Sequence, residues 1–180
     1  MIMNGYSRKC QFVSTLVSDS NGERVKFFTL GTGAAGSIFS SFADSARKLN
    51  SWYWAYTETV DSLVASQGIV PDLIKIDVEG AESKVLAGAI DVCAKYKVSI
   101  IVEMHSGQEL SMYDNANSVL SWCERARYQA WYMKEASKLD NPQAIANRGR
   151  CHLLLLPMGQ DYPSSLGGIP QRSPLPMLEP

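Results

Sequence analysis

Between residues 71 and 89 the sequence PDLIKIDVEGAESKVLAGA joins a short apolar strand directly to an amphipathic helix. The run at 72–78 predicts a buried strand, and Gly80 permits a tight turn into a helix predicted to reach about Tyr96. Residues 98–104, VSIIVEM, predict a second buried strand. A strand, a helix and a second strand in this order are typical of a doubly wound α/β sheet with right-handed crossovers.

The segments on either side predict further elements of this fold. Residues 10–17 and 25–30 are expected to pair as a hairpin through the turn at 19–22, because its Asn-Gly step accepts positive φ. Residues 37–49 are either a short helix or an irregular loop. The other predicted elements are strands at 52–59, 129–134 and 151–156, the last two as an antiparallel edge pair, and helices at 61–67 and 115–127.

Composition limits the classes of function. The 180 residues suit one domain, expected at 1–157, and the proline-rich segment 158–180 is expected to be a disordered tail. A formal net charge of −1 gives no basic field for nucleic acid. The four cysteines contain no CxxC pair, so reduced and mostly buried thiols are expected. Without an apolar run long enough for a leader or a membrane span, a soluble cytoplasmic protein with no membrane contact is expected.

Polar side chains stand at the carboxyl end of the first buried strand. Lys75 lies within it, and Asp77 and Glu79 follow at its end. Ligands of open α/β sheets bind outside the carboxyl ends of the strands, which places the two acids over a crevice at the end of a central parallel strand. Either acid alone could instead cap the following helix. Helix capping does not account for both acids together with Lys75.

The wording KIDVEGAE-x-x-VL-x-GA at 75–89 resembles the signature of FkbM-type methyltransferases. The resemblance continues upstream in FVSTLVSDSNGERVKFF at 12–28 and in TVDSL at 59–63, and downstream in IVEMH at 101–105. It runs in the correct order from about Gln11 to His105. It implies a Rossmann-like α/β methyltransferase domain that uses S-adenosylmethionine, with a small molecule or sugar hydroxyl as the acceptor.

The resemblance also implies roles for particular residues. Val17, Ser18 and Asp19 would lie near the adenine of the donor, with Asp77 at its methionine end. Asp77, Glu79 and His105 would be the catalytic groups, and Glu103 and His105 would border the acceptor pocket. His105 is the natural general base for a hydroxyl acceptor, since imidazole titrates near neutral pH; the alternative is a surface histidine at a strand end.

In one respect the sequence departs from the family. The first two strands of the sheet, with the glycine turn under the donor, should precede residue 10, and the nine residues there cannot form them. The stretch at 31–36 matches GxGxxG, but it follows a hairpin strand and is interpreted as a loop. The chain is therefore expected to be a fragment, a degenerate homologue, or a chain that completes its site with a partner or a second copy at an open sheet edge.

Two other functions are consistent with the same residues. One is a non-catalytic binding or regulatory module on a truncated methyltransferase fold. The other is metal-assisted chemistry, since carboxylates and one imidazole suit Mg²⁺ or Mn²⁺, although no metal ligand set is assigned. The residues concerned would be Asp77, Glu79, Glu103 and His105. A separate aromatic cluster, comprising Trp52, Tyr53, Trp54 and Tyr56, either lines a pocket for a sugar or lipid or belongs to the core.

Overall fold

The computed structural model describes residues 10–30 and 36–166, and this part of the chain is mixed α/β. A three-stranded sheet has the order β1-β3-β2 and a five-stranded sheet the order β4-β5-β8-β6-β7. The strands are β1 (Leu16–Val17), β2 (Arg24–Phe28), β3 (Trp52–Glu58), β4 (Leu73–Ile76), β5 (Ser99–Met104), β6 (Tyr128–Tyr132), β7 (Ser137–Leu139) and β8 (Cys151–Pro157). The α-helices are α1 (Asp44–Lys48), α2 (Val60–Gln67), α3 (Glu82–Ala87), α4 (Ile90–Tyr96), α5 (Met112–Ala126) and α6 (Pro142–Ala146), with 3-10 turns at Ser40–Phe42 and Ser164–Leu166.

The five-stranded sheet confirms the strands predicted in the second half of the chain. β4 and β5 are parallel, with Ile76 opposite Val102. β8 is antiparallel to both β5 and β6, so β5 and β6 run in the same direction. The predicted β6–β8 pairing is confirmed, but β8 is an interior strand and the edge belongs to β7. The three-residue β7 carries too little apolar pattern to be recognised in the polar loop that contains it.

Helix α5 and the strands enclose the core. Alternate residues of β5 are fully buried, and so are the four consecutive leucines at 153–156 of β8. Trp122 of α5 is buried against Tyr128, with ring centroids 5.2 Å apart. The Tyr128 hydroxyl donates a hydrogen bond of 2.8 Å to the Val98 carbonyl, so its polar end is satisfied within the core. Burying a large apolar side chain contributes about 1.5–3 kcal/mol, which makes this layer the main source of stability.

The helix predicted from Gly80 to about Tyr96 is interrupted at Gly88, which separates α3 from α4. A β-carbon at Gly88 would lie 2.1 Å from the Ser18 carbonyl oxygen, so the backbone after β1 packs directly on this glycine. Asp61 accepts hydrogen bonds from the amides of Asp91 and Val92, which fixes the first turn of α4 against α2. The break between α3 and α4 is therefore the place where the segment after β1, in the small sheet, packs against the helices of the large sheet.

The hairpin predicted between residues 10–17 and 25–30 is wrong. β1 has only two residues and pairs in parallel with β3, while β2 pairs antiparallel with the other edge of β3. The reason lies in the turn: the Gly22 amide donates to the Thr57 carbonyl, and the Asn21 side chain accepts from the Thr59 amide, both at 2.8 Å. The turn thus crosses the end of β3, which lies between β1 and β2.

β4 is the border strand of the five-stranded sheet, so the expectation that its acids follow a central strand is wrong. Within residues 10–30 and 36–166 it pairs only with β5. Leu73 at its open edge is 52% exposed. The position of the acids is still set by the parallel pairing with β5, because both strands end at the same edge of the sheet.

Three of the four aromatic residues in the β3 cluster are exposed and Trp52 is half-buried, so the alternative that the cluster belongs to the core is wrong. Tyr53, Trp54 and Tyr56 are exposed and line a hollow of about 320 Å³. Arg24 and Lys26 of β2 lie over the rings of Trp54 and Trp52, each at 4.3 Å from the ring centroid. Cation–π contacts between the two strands, and not burial in the core, therefore hold the two indole rings.

Part of the segment predicted to be a disordered tail packs on the five-stranded sheet. Residues 158–166 of the predicted tail contact β6, where the Tyr162 ring packs on Trp131 and its hydroxyl donates to the Met133 carbonyl at 3.2 Å. Residues 167–180, and 31–35 of the glycine stretch, lie outside the described residues. No helix in the described part is both long and apolar enough to cross a membrane.

The cysteines are unpaired, and three of them are buried. Burial raises the pKa of Cys93 to about 11 and that of Cys123 to about 12. Because the thiolate is the reactive species, iodoacetamide at pH 8 is expected to label the half-buried Cys10 of the native protein and to spare Cys93, Cys123 and Cys151. Peptide mass spectrometry measures this, with urea-unfolded protein as the control. Labelling of Cys123 at the unfolded rate would contradict the structure.

Candidate functional site

The turn between β4 and α3 has a constrained backbone. Glu79 has φ +50° and Gly80 has φ +98°. Positive φ is uncommon for a residue with a side chain and costs about 1–3 kcal/mol, so the surroundings must hold Glu79 in this conformation. The Ser37 hydroxyl does so by donating a 2.8 Å hydrogen bond to the Glu79 carbonyl, and the Gly80 amide donates to Glu82 at 3.0 Å. α3 begins without a side-chain cap, so the helix-capping alternative for Asp77 and Glu79 is wrong.

A buried carboxylate orients His105. The His105 Nδ1 lies 2.7 Å from Glu82 Oε1, and the two residues are 3% and 0% exposed. The Asn115 amide donates to Glu82 Oε2 and to the His105 carbonyl, both at 2.9 Å. The alternative of a surface histidine is therefore wrong. Hydrogen bonds from α3 and α5 therefore fix the position of His105 and the rotation of its ring.

The same carboxylate sets the chemistry of the imidazole. Burial alone would lower the pKa of His105, but the hydrogen bond to Glu82 and the negative charge of Glu82 outweigh it, so the pKa is raised. With Nδ1–H donating to Glu82, the neutral ring presents the lone pair of Nε2. This Nε2 is buried and has no hydrogen-bond partner. It can take up a proton or bind a cation.

Three further carboxylates surround the His105 Nε2. It lies 3.5 Å from Glu79 Oε2, 3.7 Å from Asp77 Oδ1 and 3.8 Å from Glu103 Oε1. The residues come from β5 and from the turn after β4. The structure thus brings together the four residues that the sequence places at the catalytic and acceptor positions.

Basic residues surround Glu103. The guanidinium of Arg150 lies 2.6 Å from Glu103 Oε1, and Lys75 and His152 lie 3.3 Å and 3.1 Å from Oε2. Burial opposes the ionisation of Glu103, but the hydrogen bonds from Arg150 and Lys75 outweigh it and lower the pKa to about 2. Glu103 is therefore ionised at neutral pH and already bonded within the protein.

A hollow of about 340 Å³ opens between the small sheet and the β4–α3 turn. Val17, Asp77 and Glu79 lie in its wall. Ser18 is instead buried, with its hydroxyl donating to Asp19 at 3.0 Å, and Asp19 pairs with Lys84 at 2.8 Å. The structure therefore brings Val17 and Asp77 of the expected donor residues to one hollow and leaves Ser18 and Asp19 outside its wall.

Four participants were not identified in the sequence: Glu82, Asn115, Arg150 and His152. Glu82 lies in the first turn of α3, where the helix dipole alone accounts for an acidic residue, so the sequence does not mark it as part of a site. Arg150 and His152 approach the site because β8 runs antiparallel to β5, which brings the start of β8 to the end of β5. No local pattern predicts that pairing.

Comparison with known proteins gives one match. The family model described as the methyltransferase FkbM domain matches residues 14–130, although only part of that domain is covered. This match includes β1 to β5, the first part of β6, the hollow, and the His105 cluster apart from Arg150 and His152. Neither a curated protein nor a solved structure matches the chain.

Proposed function

The chain belongs to the FkbM methyltransferase domain family, and from this premise we propose that it transfers a methyl group from S-adenosylmethionine to a hydroxyl oxygen of a small molecule or sugar. One observation carries the proposal. The hollow lined by Val17, Asp77 and Glu79 lies beside the buried Nε2 of His105, so a donor bound in the hollow would adjoin a proton acceptor.

The walls of the hollow suit a cationic nucleoside. Its volume of about 340 Å³ lies in the usual range for small-molecule pockets. Its carboxylates, Asp77 and Glu79, would stabilise the positive sulfonium, and Val17 offers an apolar surface toward the adenine. We assign Ser18 and Asp19 no donor contact, since Asp19 is paired with Lys84.

The chain supplies orientation and a proton acceptor. When bound, the donor supplies a methyl group on a positively charged sulfur. Asp77 and Glu79 would hold the sulfonium beside the acceptor oxygen, which would take the methyl carbon while the electron pair of the broken carbon–sulfur bond stayed on sulfur. The hydroxyl proton has two acceptors 3.5 Å apart, the Glu79 carboxylate and the His105 Nε2. Holding the oxygen in line with the methyl group supplies much of the remaining rate.

Calorimetry on the full chain tests the donor site. We expect Asp77→Asn to weaken S-adenosylmethionine binding about tenfold, the effect of losing roughly 1.4 kcal/mol of charge interaction. S-adenosylhomocysteine has no sulfonium charge, so its Kd should change little. Asp161→Asn, at an exposed position, is the matched control. If the wild-type chain binds neither nucleoside at millimolar concentration, the proposed function is wrong for this chain.

In the part of the chain that the structure describes, one edge of β4 has no partner strand, which favours a second candidate function, a non-catalytic module that pairs with another chain. Leu73 is exposed on that edge, and an unpaired strand edge readily accepts another strand. Donor binding by a monomeric chain, with light scattering during the same calorimetry, would exclude this candidate.

A further inference from the structure

We propose that the ends of β4 and β5 form a binding site for a divalent metal cation, with Asp77, Glu103 and His105 as its protein ligands. One ligand atom from each residue lies within 4.8 Å of the others. Cation binding stands on this geometry alone, whereas its catalytic consequence rests on the proposed methyl transfer. The sequence suggested Asp77, Glu79, Glu103 and His105 for metal-assisted chemistry, and the geometry selects three of these four as ligands.

The spacing of the three atoms fits one cation. Ligands held at about 2.0–2.3 Å from a metal lie at most roughly 4.5 Å apart. The His105 Nε2 is 3.7 Å from Asp77 Oδ1 and 3.8 Å from Glu103 Oε1, both inside that limit, and the ligand atoms of Asp77 and Glu103 lie within 4.8 Å of each other, close to it. Small side-chain rotations would therefore complete the three bonds without movement of β4 or β5.

His105 supplies the second, independent observation. It is 3% exposed, and its Nε2 is buried without a hydrogen-bond partner. Glu82 takes the other ring nitrogen, and Asn115 in turn holds Glu82. A metal-ligating histidine commonly donates its other ring N–H to a carboxylate, which fixes the orientation of the ring. Glu82 holds that position for His105, whose free Nε2 faces the acidic side chains.

The charge of the cluster also favours a divalent cation. Four carboxylates meet here, from Asp77, Glu79, Glu82 and Glu103, against the formal positive charges of Lys75 and Arg150, with both neighbouring histidines counted as neutral. The excess of two negative charges equals the charge that one divalent cation would offset. The side chain of Arg150 is 62% exposed, so it can turn aside from Glu103 Oε1 toward solvent.

The ligand set points to Mn²⁺ among the common divalent cations. Imidazole favours transition metals and carboxylates favour the harder cations, and Mn²⁺ accepts both. A cation at this place would bind the acceptor oxygen and lower the pKa of its hydroxyl. It would also occupy Nε2, which leaves Glu79 as the group that takes the proton.

Titration of the chelator-treated full chain with Mn²⁺, followed by the electron paramagnetic resonance signal of the free ion, tests the site. We expect one site per chain, with at least a tenfold loss of affinity in His105→Gln and in Asp77→Asn. Glu82→Gln should weaken binding less, because the ligands remain. Glu124→Gln, an exposed acid on α5, is the matched control, and circular dichroism establishes that each variant is folded.

The outcomes separate this site from the proposed function. Wild-type protein that binds Mn²⁺ no more tightly than folded His105→Gln would overturn the metal site. Methyl transfer that persists unchanged in excess chelator would refute its catalytic role and leave His105 as the base. Mn²⁺ binding without any donor binding would uphold the site and count against methyl transfer.

Discussion

Replacing His105 with glutamine is expected to lower kcat by about 10²–10⁴-fold, the range for removing a group that handles a proton in the transition state. Glutamine fills a similar volume but offers no basic nitrogen where Nε2 now lies 3.5 Å from Glu79. The loss should appear whether Nε2 takes the proton or binds a cation. Release of S-adenosylhomocysteine at saturating donor, with an acceptor found by screening hydroxylated compounds, measures it.

Glu82→Gln separates orientation from chemistry. It keeps a hydrogen-bonding oxygen near the His105 Nδ1 but removes the charge that raises the pKa of the imidazole. We expect a loss of about 10–100-fold in kcat, as for other groups that position a functional histidine. The donor Kd should be unchanged in both variants, because neither residue lines the hollow. A His105→Gln variant with full kcat would show that His105 takes no part in the reaction.

Alanine at Gly88 is expected to destabilise the protein by about 3 kcal/mol, at the upper end of the range for an overpacked site. The added carbon would lie 2.1 Å from the Ser18 carbonyl oxygen and 3.1 Å from the Thr59 side chain, so the backbone beyond β1 must move away from α3. For a domain of this size the midpoint Tm should fall by roughly 6–12 °C. Thermal unfolding followed by circular dichroism measures the shift.

Gly68→Ala is the control for this variant. A β-carbon there meets open space, so the cost is only that of the left-handed backbone, about 1–2 kcal/mol. Hydrogen exchange should then show faster opening at residues 16–18 in Gly88→Ala than in Gly68→Ala. A smaller loss of stability in Gly88→Ala than in Gly68→Ala would mean that β1 does not pack on α3 as described.

The part of the site that could be predicted from the sequence lies on two neighbouring parallel strands. Once 72–78 and 98–104 are recognised as strands that end at the same edge of a sheet, Asp77, Glu79, Glu103 and His105 must lie close together. The observed register, with Ile76 opposite Val102, places Asp77 next to Glu103. Local patterns were sufficient here because each strand is short, apolar and followed directly by its polar residues.

The remainder depends on packing that no short segment specifies. Glu82 is buried because α3 carries it against His105 and Asn115, which lie 23 and 33 residues away in the chain. Arg150 and His152 join the cluster through a strand inserted between two others. The aromatic pattern of β3 suggested the core, but its rings are covered by Arg24 and Lys26 from the neighbouring strand. Each of these outcomes was set by tertiary partners.

The place of β8 in the sheet has a consequence for biosynthesis. β8 comes last among the described strands, yet it bridges β5 and β6, which precede it by tens of residues. While the chain emerges from the ribosome, β5 and β6 have no ladder between them until residue 157 has left the exit tunnel, and their apolar edges stay open to chaperones or to other nascent chains. The same late segment delivers Arg150 and His152, so the continuous five-stranded sheet and the basic contacts of Glu103 are completed together.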